Sequence, residues 1–245
     1  MTFSALSQRL NRLGTQILQN CSPQLRTKEG YLFIAGSIFA TLVVIVSSIC
    51  HYVVEPFNYM THWVSSMGVG PNGSDVVMNG GLFITGILYL AMACVLTCRF
   101  QREAHSKGAK VVLILGILSA IISCVGIWLL TIWNMEANFV IHNIGAFMFF
   151  IGTPIFTSLM TTGFFIIGKG SKMQVIVSTI LVLLFISLPI FMMIGAALEN
   201  IAMDEVLGSM GPGLGLARLV EWMAVLGFFV WILQTGLHIV RNQPL

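Results

Sequence analysis

Residues 31–52 read YLFIAGSIFATLVVIVSSICHY, with no Asp, Glu, Lys or Arg and with one histidine, His51, at the far end. A bilayer core takes about 20 apolar residues as a helix, so this stretch predicts a membrane span. Five further stretches have the same character: Asn79–Cys98, Lys110–Trp133, His142–Ile167, Met173–Leu198 and Arg218–His238. Together they predict an all-α polytopic membrane protein, a bundle of six transmembrane helices occupying residues 31–241 behind a segment at 1–30. Composition agrees. Soluble domains carry about 25% charged residues, whereas this chain of 245 residues has 9% charged and 57% hydrophobic residues and a mean hydropathy of +0.92.

Orientation follows from the basic residues, which concentrate on the cytoplasmic side of membrane proteins. Arg9, Arg12, Arg26 and Lys28 precede the first span. Arg99, Arg102, Lys107 and Lys110 lie between the second and third, Lys169 and Lys172 between the fourth and fifth, and Arg241 after the sixth. Both termini are therefore expected in the cytoplasm. Within 1–30, Phe3, Leu6, Leu10, Leu13 and Ile17 recur at helical spacing around Arg9 and Arg12, which predicts an amphipathic helix lying on the headgroups. The segment lacks the short apolar core and small-residue cleavage site of a signal peptide.

The acids gather on the opposite side. Glu55, Asp75, Glu136, Glu199, Asp204, Glu205 and Glu221 lie in or beside the non-cytoplasmic loops, together with His51, His62 and His142. No Asp, Glu, Lys, Arg or His falls near the middle of a span. Charges at mid-bilayer cost about 2.5–3.5 kcal/mol on insertion scales and are kept mainly for conduction or proton relay. Their lack argues against a pump, a proton-coupled carrier or a voltage sensor. Five cysteines, none in a loop expected outside, do not suggest a disulfide framework. Cys94 and Cys98 share a helical face and read as small packing residues. The loop after span five, with Gly208, Gly211, Pro212, Gly213 and Gly215, has the composition of a mobile flap and lacks the lysine of a phosphate-binding loop.

The first outer loop and the helix after it, HWVSSMGVGPNGSDVVMNGGLFITG over His62–Gly86, carry the densest polar pattern. Ser65 and Ser66 lack a nucleophile elbow and read as turn residues. Asn79 reads as a helix cap. Asn72-Gly73-Ser74 is a formal glycosylation sequon that a tight turn explains equally well. Arg218 and Glu221, three apart, can pair on a helix. His142 reads as a polar residue at an aqueous boundary, a base or a metal ligand. Trp63, Trp133 and Trp222 read as interfacial anchors.

Three motifs bring a family to mind: Ser65-Ser66-Met67-Gly68 with Gly70-Pro71-Asn72, Asn79 and Gly86; His142-Asn143-Ile144-Gly145-Ala146 with Phe149; and Arg218 with Glu221. They resemble the prokaryotic six-helix membrane family called domain of unknown function 998. They also resemble the eukaryotic DRAM-like (damage-regulated autophagy modulator) proteins and the related membrane proteins of glycolipid-anchor remodelling. The resemblance covers about Tyr31 to Arg241. It implies six membrane helices, a link to lipid handling, and motif positions at Ser65, Gly68, Pro71, Asn79, His142 and Gly145, extended by Arg218 and Glu221.

The first expectation is a protein that binds or organises membrane lipids through a polar cup at the outer helix ends. Ser65, Asn79, His142, Arg218 and Glu221 would be the ligand-binding residues, with Arg218 toward phosphate. The alternative is a metal-dependent lipid hydrolase or transferase, with zinc held by His51, His142, Asp75 and Glu221. A third reading is a channel or facilitator. Nucleic acid is not an expected partner, and a homo-oligomer is left open. The expected location is the plasma membrane for a prokaryotic source and an endomembrane for a eukaryotic one.

Overall fold

The computed structural model describes residues 28–103, 106–202, 206 and 211–241. The expected amphipathic helix over Phe3–Ile17, and Asp204 and Glu205, lie outside them. Six long helices account for most of the chain: α1 Glu29–Val54, α2 Ser74–Glu103, α3 Lys107–Ile132, α4 Phe139–Ile166, α5 Lys172–Glu199 and α6 Gly215–Arg241. Two short 3₁₀ turns, Val64–Val69 and Pro212–Leu214, sit in the loops before α2 and α6. No strand occurs among the described residues. All six helices are long and apolar enough to cross a membrane, and the chain is an integral multi-pass membrane protein.

Each helix begins before the apolar stretch read from the sequence, and four of the six also end beyond it; α3 and α4 stop one residue short, at Ile132 and Ile166. Local chemistry sets several of the ends. Ser106 Oγ accepts from Ala109 N (3.1 Å) and Asn138 Oδ1 from Ile141 N (3.0 Å), capping α3 and α4. Ser171 and Gln174 form a reciprocal capping box at α5. Each such cap stabilises its helix by about 1 kcal/mol. Asn200, at φ 53°, closes α5 in the left-handed conformation. Pro154 and Pro189 lie inside α4 and α5, which continue through them.

Consecutive helices pack side by side, and α6 returns to pack against α1, so the bundle closes. On α1 the alternation is legible: Ile38, Leu42, Ile45 and Ile49 are exposed to the lipid side, whereas Ser37, Ala40, Val44, Ser47 and His51 face inward. Lipid is as apolar as leucine, so the inward face is chosen by close fit and hydrogen bonding rather than by hydrophobicity. An aromatic ladder fills the centre. Tyr89 of α2 meets Phe228 of α6 (4.9 Å between ring centroids) and Phe156 of α4 (5.3 Å), and Phe156 meets Trp231 (5.6 Å).

Two helix pairs touch backbone to backbone. Gly30 of α1 and Gly236 of α6 lie against each other's carbonyls. Gly126 of α3 faces Gly145 of α4, and Gly152 faces Ser119 and Ser123. At the end of the bundle where α1 begins and α6 ends, ion pairs join the elements: Arg99–Glu29 (3.2 Å) and Lys169–Glu103 (2.7 Å). His238 Nε2–H donates to Lys169 O (2.7 Å) beside them. Among the described residues no disulfide links Cys50, Cys94, Cys98 or Cys124.

A Cβ at position 126 would stand 2.5 Å from Gly145 O and 2.6 Å from Phe149 N. Backbone cannot swing aside as a side chain can, so Gly126→Val should reach the upper part of the roughly 1–3 kcal/mol that overpacking costs. Gly80→Ala, where a Cβ meets nothing within 4 Å, should be neutral or stabilising. Thermal unfolding of both variants in detergent checks the contrast.

Candidate functional site

At the end of the bundle away from the termini, the loop between α1 and α2 folds down onto the helix ends instead of standing in solvent. Trp63, Val64, Ser66, Met67 and Gly68 are all buried. A buried loop must satisfy its backbone polar groups, and side chains from three other elements do so. Glu221 Oε2 accepts from Val64 N (2.8 Å) and Trp222 Nε1 donates to His62 O (2.9 Å). Arg218 Nη1 donates to Met60 O (3.0 Å) and Gly211 O (3.1 Å), and its guanidinium lies 5.3 Å from the Trp63 ring centroid. Asn79 Nδ2 (2.8 Å) and Asn134 Nδ2 (3.3 Å) both donate to Gly68 O. Ser74 Oγ donates to Met67 O (3.0 Å).

These bonds reassign several residues. Asn79 sits more than a turn inside α2 and does not cap it; its amide holds the loop. Arg218 and Glu221 each grip a different part of the loop. Arg218 is fully buried, so its guanidinium faces protein carbonyls rather than a lipid phosphate. Trp63 and Trp222 are 2% exposed and serve as packing residues, not as anchors among headgroups. His142 lies in the first turns of α4 with Nδ1 at 3.1 Å from Leu130 O and 3.2 Å from Trp133 O. A carbonyl only accepts, so Nδ1 carries the proton and ties α4 to the end of α3. Asn72 Nδ2 donates to Cys50 O (3.1 Å) and Ser74 is buried, which supports the turn reading of that sequon. The loop before α6 is anchored where it is described: Gly213 N donates to Glu199 Oε1, and Val206 and Leu214 are buried.

The postulated zinc ligands do not converge. Glu221 is bonded to the first loop and His142 to the end of α3, and Asp75 sits in the first turn of α2. Among the described residues no group of three His, Cys, Asp or Glu is placed to hold a metal ion.

What does open at this face is a pocket of about 500 Å³ between the end of α1, the first loop and the α3–α4 loop. His51, Glu55, His62, Trp63, Ser66, Gly70, Glu136 and Phe139 are among its lining residues. His51 is 4% exposed, yet neither ring nitrogen makes a hydrogen bond; the nearest charged group is Glu55 Oε2 at 3.7 Å from Nε2. Trp63 Nε1 is buried and equally without a partner. The His51 ring packs edge-on against His62 (5.2 Å) and tilted against Phe57 (5.6 Å). Buried polar groups left unpaired are rare and each calls for an explanation.

Phe139, the first residue of α4, is also a wall of a second cavity. This is an apolar groove of about 890 Å³ on the lipid side of α3 and α4, lined by Ile122, Val140, Ile144, Phe147, Met148 and Ile151. Asn143 is its polar lining residue, and Asn143 Oδ1 is buried without a partner. Of the five ligand residues expected from sequence, none lines either cavity: Ser65 is half-buried beside Ser66, and the other four hold structure. His51 appeared only among the zinc ligands. Ser66 and Asn143, which belong to the quoted motifs, and Phe139, three residues before one, were missed.

The family model described as Frag1/DRAM/Sfk1/Cwh43P N-terminal domain matches residues 29–236. It corresponds to the DRAM-like part of the resemblance. No curated protein matches, and no solved structure matches.

Removing the Glu221 carboxylate orphans the buried Val64 N–H, which costs about 1–3 kcal/mol. Glu221→Ala should therefore lower thermal stability and speed proteolysis within Glu55–Gly73. Glu221→Gln keeps an acceptor and should lose less on both measures.

Proposed function

Because the chain belongs to the Frag1/DRAM/Sfk1/Cwh43P family as a membrane protein of six apolar helices, we propose that it binds a membrane lipid at the non-cytoplasmic ends of those helices. The headgroup occupies the polar pocket, and an acyl chain lies in the groove along α3 and α4. The observation that carries this reading is the shared wall at Phe139. A polar pocket holding unpaired His51 and Trp63 nitrogens adjoins an apolar channel open to the bilayer. Ligand sites are concave and mostly apolar, with a few placed polar groups, and an amphiphile is the ligand that uses both halves. A neutral His51 offers one donor and one acceptor, Trp63 one donor and Asn143 Oδ1 one acceptor. Residues of the first loop form one wall, so the clamp from α6 sets the pocket's shape without touching the ligand.

His51→Phe keeps the ring packing and removes nitrogens that make no hydrogen bond within the protein, giving up only the 3.7 Å contact with the exposed Glu55. It should leave thermal stability unchanged while reducing co-purifying lipid roughly threefold to tenfold, the worth of one or two hydrogen bonds. Phe139→Ala should reduce it as well by opening the shared wall. Lipid content is read by mass spectrometry of the purified variants, and wild-type levels in both would defeat the proposal. Arg218→Ala should lose lipid only together with stability.

A further inference from the structure

The chemistry of the headgroup is written in the pocket's charges. Its mouth carries two exposed carboxylates, Glu55 and Glu136, and no Lys or Arg is among its lining residues. The guanidinium of Arg218 lies behind the Trp63 ring with Nη1 on two carbonyls. A headgroup bearing only a phosphodiester would meet two like charges there. A neutral hydroxyl headgroup would satisfy His51 and leave both carboxylates without a counter-charge. A positive charge is favoured at the mouth.

Phosphate also has a place. Phe139, the wall between pocket and groove, is the first residue of α4. Backbone N–H groups at a helix N-terminus favour anions, and Asn138 Oδ1 takes that of Ile141, so those of Phe139 and Val140, which the cap does not take, stand at the head of the helix beside the junction that Phe139 lines. Buried, unpaired His51 and Trp63 lie on the pocket side of this point and independently mark it as a place where polar ligand atoms belong. From groove to mouth the surface therefore offers apolar walls, a helix N-terminus, neutral hydrogen-bonding groups and then carboxylates. We infer that the pocket takes a zwitterionic lipid headgroup carrying an ammonium group, phosphate at the start of α4 and ammonium between Glu55 and Glu136. This rests on the lipid-binding reading and adds the headgroup class to it.

The full-length protein in detergent is titrated with dioctanoyl phosphatidylethanolamine, phosphatidylcholine, phosphatidylglycerol and dioctanoylglycerol, and with water-soluble phosphoethanolamine. The two amine lipids should bind roughly threefold to tenfold tighter than phosphatidylglycerol, the scale of exposed charge pairs. Glu55→Gln combined with Glu136→Gln should erase that difference and leave dioctanoylglycerol binding unchanged. Both carboxylates are exposed, so folding should not suffer. Equal or tighter phosphatidylglycerol binding, or a preference that survives the double substitution, overturns the headgroup assignment while the lipid site stands. Phosphoethanolamine binding as tightly as the lipids would replace a bilayer ligand by a dissolved amine and overturn it too. Lipid binding too weak to detect, or unaltered by His51→Phe, removes the site itself.

Discussion

The carboxylate of Glu221 accepting the Val64 N–H is the bond on which this face of the molecule is built. It reaches from the last helix across the bundle to a loop more than a hundred residues earlier, and it works where water is scarce. Around it, Trp222 and Arg218 of the same helix take the His62 and Met60 carbonyls, and the Asn79 and Asn134 amides converge on Gly68. A loop of this composition left in water would hydrate its own backbone. Pressed against helix ends, it needs a protein partner for each group, and the start of α6 supplies half of the side chains that meet this need, with α2 and the α3–α4 loop supplying the others. Trp63, Ser66 and Gly70 are held by this scheme, and they are the walls of the pocket.

That economy gives the unpaired groups their meaning. Nearly every polar side chain at the first-loop face is engaged: His142 by the end of α3, Glu199 by the Gly213 N–H, Asn72 by the end of α1. Against that background the His51 nitrogens and the Trp63 N–H stand apart, both lining one pocket. The residues that looked most chemical in the sequence hold the protein together, and a histidine whose ring nitrogens make no hydrogen bond is the one that lines the pocket.

The helices were legible because each span is long and nearly free of charge, and the family match extends over residues 29–236, close to the Tyr31–Arg241 range read from the sequence. The site was not. Arg218, Glu221, Asn79 and His142 announce themselves as rare polar residues at membrane boundaries. A sequence shows rarity, but not whether a side chain points at a ligand or at a backbone group distant along the chain. Glu221 and Val64 have no local spacing that would link them, and the pair appears only once α6 closes against α1. Phe139 was invisible for the opposite reason: a phenylalanine at a helix start is unremarkable until two cavities are seen to share it. The tryptophans misled through their usual place at interfaces, since Trp63 and Trp222 lie at that depth but under the folded loop.

The glycine contact between α3 and α4 bears on how a lipid would be received. With Gly126 and Gly145 at backbone distance these helices have little side-chain layer to repack where they cross, so the trough on their outer surface would be formed before anything enters it. A lipid tail settling there gives up its own disorder and asks little rearrangement of its host. A lipid site built this way would discriminate at the headgroup end, and its hold on the tail would vary with chain shape: a kinked or shortened tail would fit a fixed channel worse than a straight one.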